Sequence, residues 1–595
     1  MEHKKKKYST LVLKQISSTK EYLNTLSVQI SHNNNLLNWF KGLCAQLTKL
    51  IVLLTDFHKI IDKNIEYKET LLLYLHQLLT ILSLLINIFV RESALDQPLS
   101  EIRFFCKKQM LWSLDGIFET ITKNSYLQNS KANFISWMDI AIEKINLIDF
   151  VNVEQASMDF NETKKIFEEV LSHAMSLAQV TLEEEYKMIR GSSQTVLDAL
   201  GSLSKEMNKI KPNTAMLNLF VDTCKNKLCA LEHKVNTAVL KLSLKVFSEY
   251  TLPLEAIHNF CFDKTNKGDQ EKLDELIVEF DLHVDRLLQI GLFAISCSSC
   301  PNNCSKIRSS MASLEALETE LVPAFTSVLL DFNLSNSHLA LLLKDHWINQ
   351  AQILQRLIYL IIDPSAFCEV IFEENKLLID EMLDTFKVHF ILNENCFKKF
   401  MRQSNILMDF MTIILEEEQE INIEDVKGVL TEFKYVLHEV QSAYDILPQK
   451  KTSYMRILKR CKILLKSIKY LWNCFIDENQ SVSIKEKCYG DKSPVTDHST
   501  NLDYIVARGQ QILKDRSILY RTEIKNGTFK MHNQGDNSSY VNGTKLMSSL
   551  KLVHLRNRTF INSNKTSTKL QMSDILNELN NLTHVSLNKT VHIKK

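Results

Sequence analysis

The most suggestive arrangement of chemically capable side chains in this 595-residue sequence is a run of cations along one helical segment. Between 454 and 475, Tyr454, Ile457, Leu458, Cys461, Leu464, Leu465, Ile468, Leu471, Trp472 and Phe475 fall within about 140° of a helix turning about 100° per residue. Arg456, Lys459, Arg460, Lys462, Lys466 and Lys469 take the other side. Lys450 and Lys451 come just before them, and no acid lies between Asp445 and Asp477. Such a face attracts anionic lipid heads, at about 1 kcal/mol per cation near a charged leaflet. It can equally meet an acidic protein surface such as an actin filament. The same pattern also describes a bundle helix whose solvated back is basic.

Other clusters carry less. Cys297-x-x-Cys300-x-x-x-Cys304 has closely spaced thiols, but a closed tetrahedral metal site needs a fourth ligand, and none stands nearby at ordinary spacing. Glu183-Glu184-Glu185 and Glu416-Glu417-Glu418 could do acid–base chemistry only if burial separated their pKa values. On helices with lysines nearby they read as solvated faces. The histidines are dispersed and no H-E-x-x-H occurs. Phosphate loops, dinucleotide fingerprints and G-x-S-x-G elbows are also missing, and 12 glycines leave little material for a phosphate-cradling loop. No catalytic, cofactor-binding or metal-binding residue is assigned, and no cofactor is expected.

The elements that carry these residues are helices. With 12 Gly and 8 Pro the chain needs few tight turns, and its length exceeds what one core can serve. Apolar residues recur at steps of three and four from Leu36 to Ile61, Thr70 to Val90, Leu99 to Ile121, Phe134 to Phe150 and Thr163 to about Ile189. Gly191-Ser192-Ser193 reads as a joint, and Leu252-Pro253-Leu254 interrupts a further helical stretch. At Asp363-Pro364 the sequence predicts a restart, with Asp as N-cap and Pro at the first helical position. The expected class is all-α: long antiparallel helices in consecutive bundles. The expected regions are an N-terminal bundle over 1–125, a second over 126–262, and further bundles over 263–476 that include the basic helix. A mostly disordered, flexible basic tail is expected over 477–595.

That last stretch carries 18 Lys and Arg against 11 Asp and Glu, with one short helix expected near Ile505 to Leu519. Its Asn-x-Ser/Thr triplets, such as Asn526, Asn537 and Asn588, read as by-products of Asn-rich composition. Overall, 71 Lys and Arg balance 70 Asp and Glu, which gives no global reason to expect nucleic-acid binding. Thirteen dispersed cysteines, most within apolar stripes, read as reduced thiols of a cytosolic protein. The basic start has no apolar region behind it, so no secretory signal is inferred. Thr70 to Val90 imitates a membrane span, yet His76, Thr80, Ser83 and Asn87 line one face, which suits the central helix of a bundle.

The organising stretch is Leu273 to Phe332, two apolar stripes joined by a polar corner at 296–304. The run Ile290-Gly291-Leu292-Phe293-Ala294-Ile295-Ser296-Cys297-Ser298, then Ile307-Arg308-Ser309-Ser310-Met311-Ala312-Ser313-Leu314-Glu315-Ala316-Leu317, then Glu320 to Ala324, resembles the helix pair of vinculin and α-catenin proteins. Within that superfamily it is most similar to the serendipity-alpha branch of insects. The resemblance implies a non-enzymatic cytoskeletal adaptor, cytoplasmic and peripheral at the inner face of the plasma membrane. It would organise cortical actin microfilaments during embryonic cellularization. The implied partners are actin filaments or actin-associated proteins, with peripheral contact to anionic inner-leaflet lipids; on the charge pattern of the basic helix, Lys450, Lys451, Arg456, Lys459, Arg460, Lys462, Lys466 and Lys469 are the candidate contact for anionic lipid or actin. In vinculin and α-catenin a C-terminal helical bundle carries filament binding, and the residues after Phe475 do not resemble one. The alternative is a helical tether or scaffold of membrane traffic without an actin link.

Overall fold

The computed structural model describes residues 2–26, 33–60, 65–95, 98–123, 134–148, 153–266, 269–298, 301–417, 423–446, 453–475, 499–515, 579 and 581. Among them are seventeen α-helices and no strand. The first group is α1 (Glu2–Asn24), α2 (Asn33–Ile60), α3 (Ile65–Leu95) and α4 (Ser100–Lys123). The second is α5 (Phe134–Asn146), α6 (Val153–Ala178), α7 (Glu183–Met207) and α8 (Thr214–Ser248). Then come α9 (Leu252–Phe262), α10 (Gln270–Cys297), α11 (Pro301–Leu330) and α12 (Leu334–Tyr359). The last group is α13 (Pro364–His389), α14 (Glu394–Glu417), α15 (Ile423–Asp445) and α16 (Tyr454–Asn473), followed by the separate α17 (Ser499–Asp515).

Local chemistry starts several of these helices. Asn213, Asp269, Asn333 and Asp363 each accept a backbone N–H from the first turn that follows, which satisfies donors the helix cannot pair itself. Asp363 takes Ala366 N at 2.9 Å with Pro364 in the first turn, as the sequence predicts. Between α10 and α11 the chain turns where the polar corner stands, and the two helices pack together. A Cβ built on Gly291 would lie 2.5 Å from the Met311 sulfur, so α10 and α11 approach there because residue 291 has no side chain.

The span-like helix is a core helix. By length and apolarity α3 could cross a membrane, but most of that window is buried inside the protein. It packs against α2 and α4 on its own bundle and against α11 and α12 on another, so apolar residues are needed on nearly every side. Its polar face is graded: His76 is buried, Thr80 and Ser83 are half-buried, and Asn87 is exposed. Next to it, buried Gln77 donates to the carbonyl of Ser309 at 2.6 Å and to its hydroxyl at 2.7 Å.

One reading of the sequence needs correction. Gly191-Ser192-Ser193 is no joint: α7 runs through it, and the break is at 179–182. Ser193 faces the core and donates back to Ile189 O at 2.9 Å, so a small polar residue is accommodated mid-helix. Glu183-Glu184-Glu185 instead opens α7, where carboxylates favour the positive end of the helix dipole. In the stretch after 477 the short helix expected near Ile505 to Leu519 is present at Ser499–Asp515. The described part of that stretch is α17, with Leu579 and Asn581; the remainder of the expected tail lies outside the described residues. α17 packs on α6.

The place that α17 takes follows from helix lengths. α5 has 13 residues and α6 has 26, about 20 Å against about 39 Å at 1.5 Å per residue. α5 is tied to the first half of α6, where Lys144 meets Glu162 at 3.0 Å. α17 covers the second half, with Arg508 on Glu169 at 2.9 Å and Ile505 buried.

A candidate anionic-surface contact on the basic helix

Helices α13 to α16 close into a ring in which each contacts the next and α16 contacts α13. At one end Phe397 stacks on Tyr444 at 4.4 Å, and at the other Phe372 meets Trp472 at 5.8 Å. This up-and-down arrangement fixes which face of α16 is inside. Ile457, Leu458, Cys461, Leu464, Ile468 and Leu471 are buried, and burial pushes the Cys461 thiol up to about 12, so it stays protonated.

The outward arc carries the candidate cations. Arg456, Lys459, Lys462, Lys466 and Lys469 are exposed, and among the described residues no carboxylate lies within 4 Å of any of them. Lys469 sits at the margin, its ammonium 5.9 Å from the ring centre of Phe372. Arg460 differs. It is turned toward α15 and paired with Glu439, so its charge is already engaged within the bundle. Lys450 and Lys451 lie outside the described residues.

Three residues on this face escaped the sequence reading. Met455, Ile463 and Tyr470 are exposed at steps of eight and seven, interleaved with the lysines. Their signal was present as apolar residues recurring on the cationic side. The face extends about 30 Å over 20 residues. No acid stands in the first turn of α16, and the Ser453 side chain makes no capping bond. Cations there oppose the helix dipole, an arrangement that an external anion would relieve.

The other clusters resolve into structural roles. Glu183 pairs with Lys187 at 2.6 Å on the surface, and that lysine holds its carboxyl below the usual range. Glu185 is buried and shares Lys241 with Glu374 of α13, at 3.3 Å and 3.0 Å, tying the second group to the last. Glu416 meets Arg356 of α12 at 3.1 Å. Cys297 and Cys304 are buried at the α10–α11 turn, Cys304 donating to the carbonyls of Ile295 and Ser298 at 3.7 Å, while Cys300 lies outside the described residues.

Comparison with known proteins gives a consistent picture. Residues 12–548 match the family described as Serendipity locus alpha protein (SRY-A). Serendipity locus protein alpha of Drosophila virilis is 25% identical over 372 residues, which cover 60% of this chain and 65% of that one. The Drosophila subobscura protein of the same name is 25% identical over 447 residues, covering 70% and 76%. A vinculin homolog from a sponge (phylum Porifera) matches in structure with a TM-score of 0.59 at 14% identity, over 80% of this chain and 60% of that one. The likeness to the sponge protein establishes the fold as vinculin-like helical bundles.

Proposed function

The chain belongs to the Serendipity locus alpha protein family, and from that premise we propose that it is a non-enzymatic adaptor that organises actin microfilaments at the cell cortex. The plasma membrane is its place of action and embryonic cellularization its setting. The observation that carries this reading is the outward face of α16, where Arg456, Lys459, Lys462 and Lys466 stand exposed with no carboxylate of the described residues within 4 Å. Long bundles act as stiff spacers and offer large surfaces, while an uncompensated basic face steers and holds an acidic partner. An actin filament is such a partner. The sponge vinculin homolog is associated with cell adhesions, which is in keeping with a cortical adaptor.

The test is cellular. A tagged full-length chain should concentrate at the cortex of a dividing or cellularising cell and disperse when filaments are depolymerised by drug. Cortical enrichment unaffected by depolymerisation, with the chain on transport membranes instead, would favour a scaffold of membrane traffic and overturn the filament reading.

A further inference from the structure

Helices from three groups bring cations together where α8 ends. Lys245 lies in the last turn of α8, which packs against both α10 and α14. Arg286 of α10 donates its Nε to the carbonyl of Val180, in the turn before α7, at 3.2 Å. From α14, Arg402 meets Glu249 at the end of α8 at 3.4 Å, and Lys399 stands one turn before Arg402. Lys245 and Arg286 are half-buried and Lys399 is exposed. Among the described residues none of these three cations has a carboxylate within 4 Å.

The acids around them are engaged or distant. Glu249 is held by Arg402, while Glu185 and Glu374 share Lys241 at 3.3 Å and 3.0 Å. Glu279 stands two turns before Arg286 on α10, about 10 Å along the axis. The surplus of positive charge is felt by several groups. Burial lowers Lys245 below the usual lysine range, and Arg286 and Lys399 lower it further against the pull of Glu249 and Glu185. Burial also lowers Arg286, although Glu279 and Glu249 oppose this. His283, one turn before Arg286, is pushed down to about 4 by burial, then by Arg286 and Lys245. Its Nε2 is buried with no hydrogen-bond partner among the described residues. Half-buried like charges without counterions weaken a fold, and groups displaced in this way collect at binding and catalytic sites.

We propose that Lys245, Arg286 and Lys399 bind a phosphate monoester carried by a small soluble molecule, such as an inositol polyphosphate. With its Nε fixed on Val180, Arg286 has an oriented fork whose two terminal nitrogens have no partner among the described residues and can take two phosphate oxygens. Lys245 and Lys399 add point charges from α8 and α14. The phosphate brings the negative charge that these cations lack. Two of the three are half-buried among helices, a setting that a small molecule enters and a flat membrane does not. A bound phosphate ties α8 of the second group to α10 and to α14 of the last, so it stiffens the junction between bundles. The inference goes beyond the adaptor reading and is independent of it, since none of the three residues is on α16.

The experiment is calorimetric titration of the full chain with inositol hexakisphosphate, joined to thermal unfolding with the same compound and with sodium chloride of equal ionic strength. Wild type should bind it and unfold at a higher temperature than in the chloride control. K245Q/K399Q should lose at least about tenfold in affinity, because two charge-assisted contacts are gone. Without ligand that variant should unfold at a temperature no lower than wild type, since like charges have been removed, so its lost binding is not lost fold. K459Q/K462Q, on the outward face of α16, should bind as wild type does. A wild type that responds no more than to chloride, or a K245Q/K399Q variant that binds equally well, would overturn the proposal. So would loss of affinity confined to K459Q/K462Q, which would place the compound on α16 instead.

Discussion

Gly509 of α17 lies so close to α6 that a Cβ placed on it would stand 2.9 Å from the carbonyl oxygen of Ser172. The backbone of Ser176 and the Cβ of Met175 are as near, so no side chain can yield to make room. Replacing Gly509 by Val should lift α17 from its seat at a cost of about 1–3 kcal/mol. Hydrogen exchange of 499–515 should then rise to the level of an undocked helix, while α7 and α8 keep their protection. Unchanged exchange would mean that α17 is held elsewhere.

Glu92 and Arg103 form a buried ion pair between α3 and α4, each almost inaccessible to water. Glu92 also accepts Leu99 N at 2.7 Å, so it ties the connection between the two helices. Arg103→Ala should destabilise by about 3–5 kcal/mol, because a charge is left unpaired in the core. The joint change to Glu92→Met and Arg103→Met should cost far less. Urea unfolding of both variants checks the contrast.

Acid should weaken the α10–α12 region. His283 is pushed down to about 4 by burial and by Arg286 beside it, and burial alone takes His346 to about 4. Above pH 6.5 both are neutral in either state and cost nothing. As pH falls from about 6.5 toward 4 the unfolded chain binds protons that the folded one refuses, so stability drops. The loss between pH 7 and 5 should be on the order of 1 kcal/mol per histidine. Replacing both by Gln should flatten that slope in urea unfolding measured at the two pH values.

Gln77 holds two bundles together through Ser309. Gln77→Leu removes this bond between the bundles, while the Ser309 carbonyl still accepts from Ser313 Oγ at 2.9 Å, so the change should cost about 0.5–1.5 kcal/mol. Gln77→Glu should be worse, since a carboxylate cannot donate. Thermal unfolding ranks the pair.

What could be read in the sequence was local. Asp363-Pro364 announces its helix because cap and proline act within one turn, and the inner face of α16 follows from spacing alone. The misplaced joint at Gly191 arose because a Gly-Ser-Ser run signals a break unless a core covers it, and burial is set by α6 and α8 rather than by neighbours in sequence. Docking of α17 was invisible for the same reason: Arg508 and Glu169 meet across 339 positions. On α16 the sequence marked out the cations but not the engagement of Arg460, which depends on Glu439 of the adjacent helix.

The central claim is that the outward cations of α16 hold a filament, and the most direct measurement is pelleting of the full chain with filamentous actin. The comparison is wild type against R456E/K459E/K462E/K466E, a set of exposed positions whose reversal leaves the bundle core intact. Wild type is expected to pellet with filaments at about 50 mM salt and progressively less toward about 300 mM, as screening shortens the reach of the charges. The reversed variant should remain in the supernatant while unfolding at the wild-type temperature. A reversed variant that pellets as wild type does, or a wild type that never pellets, would contradict the claim.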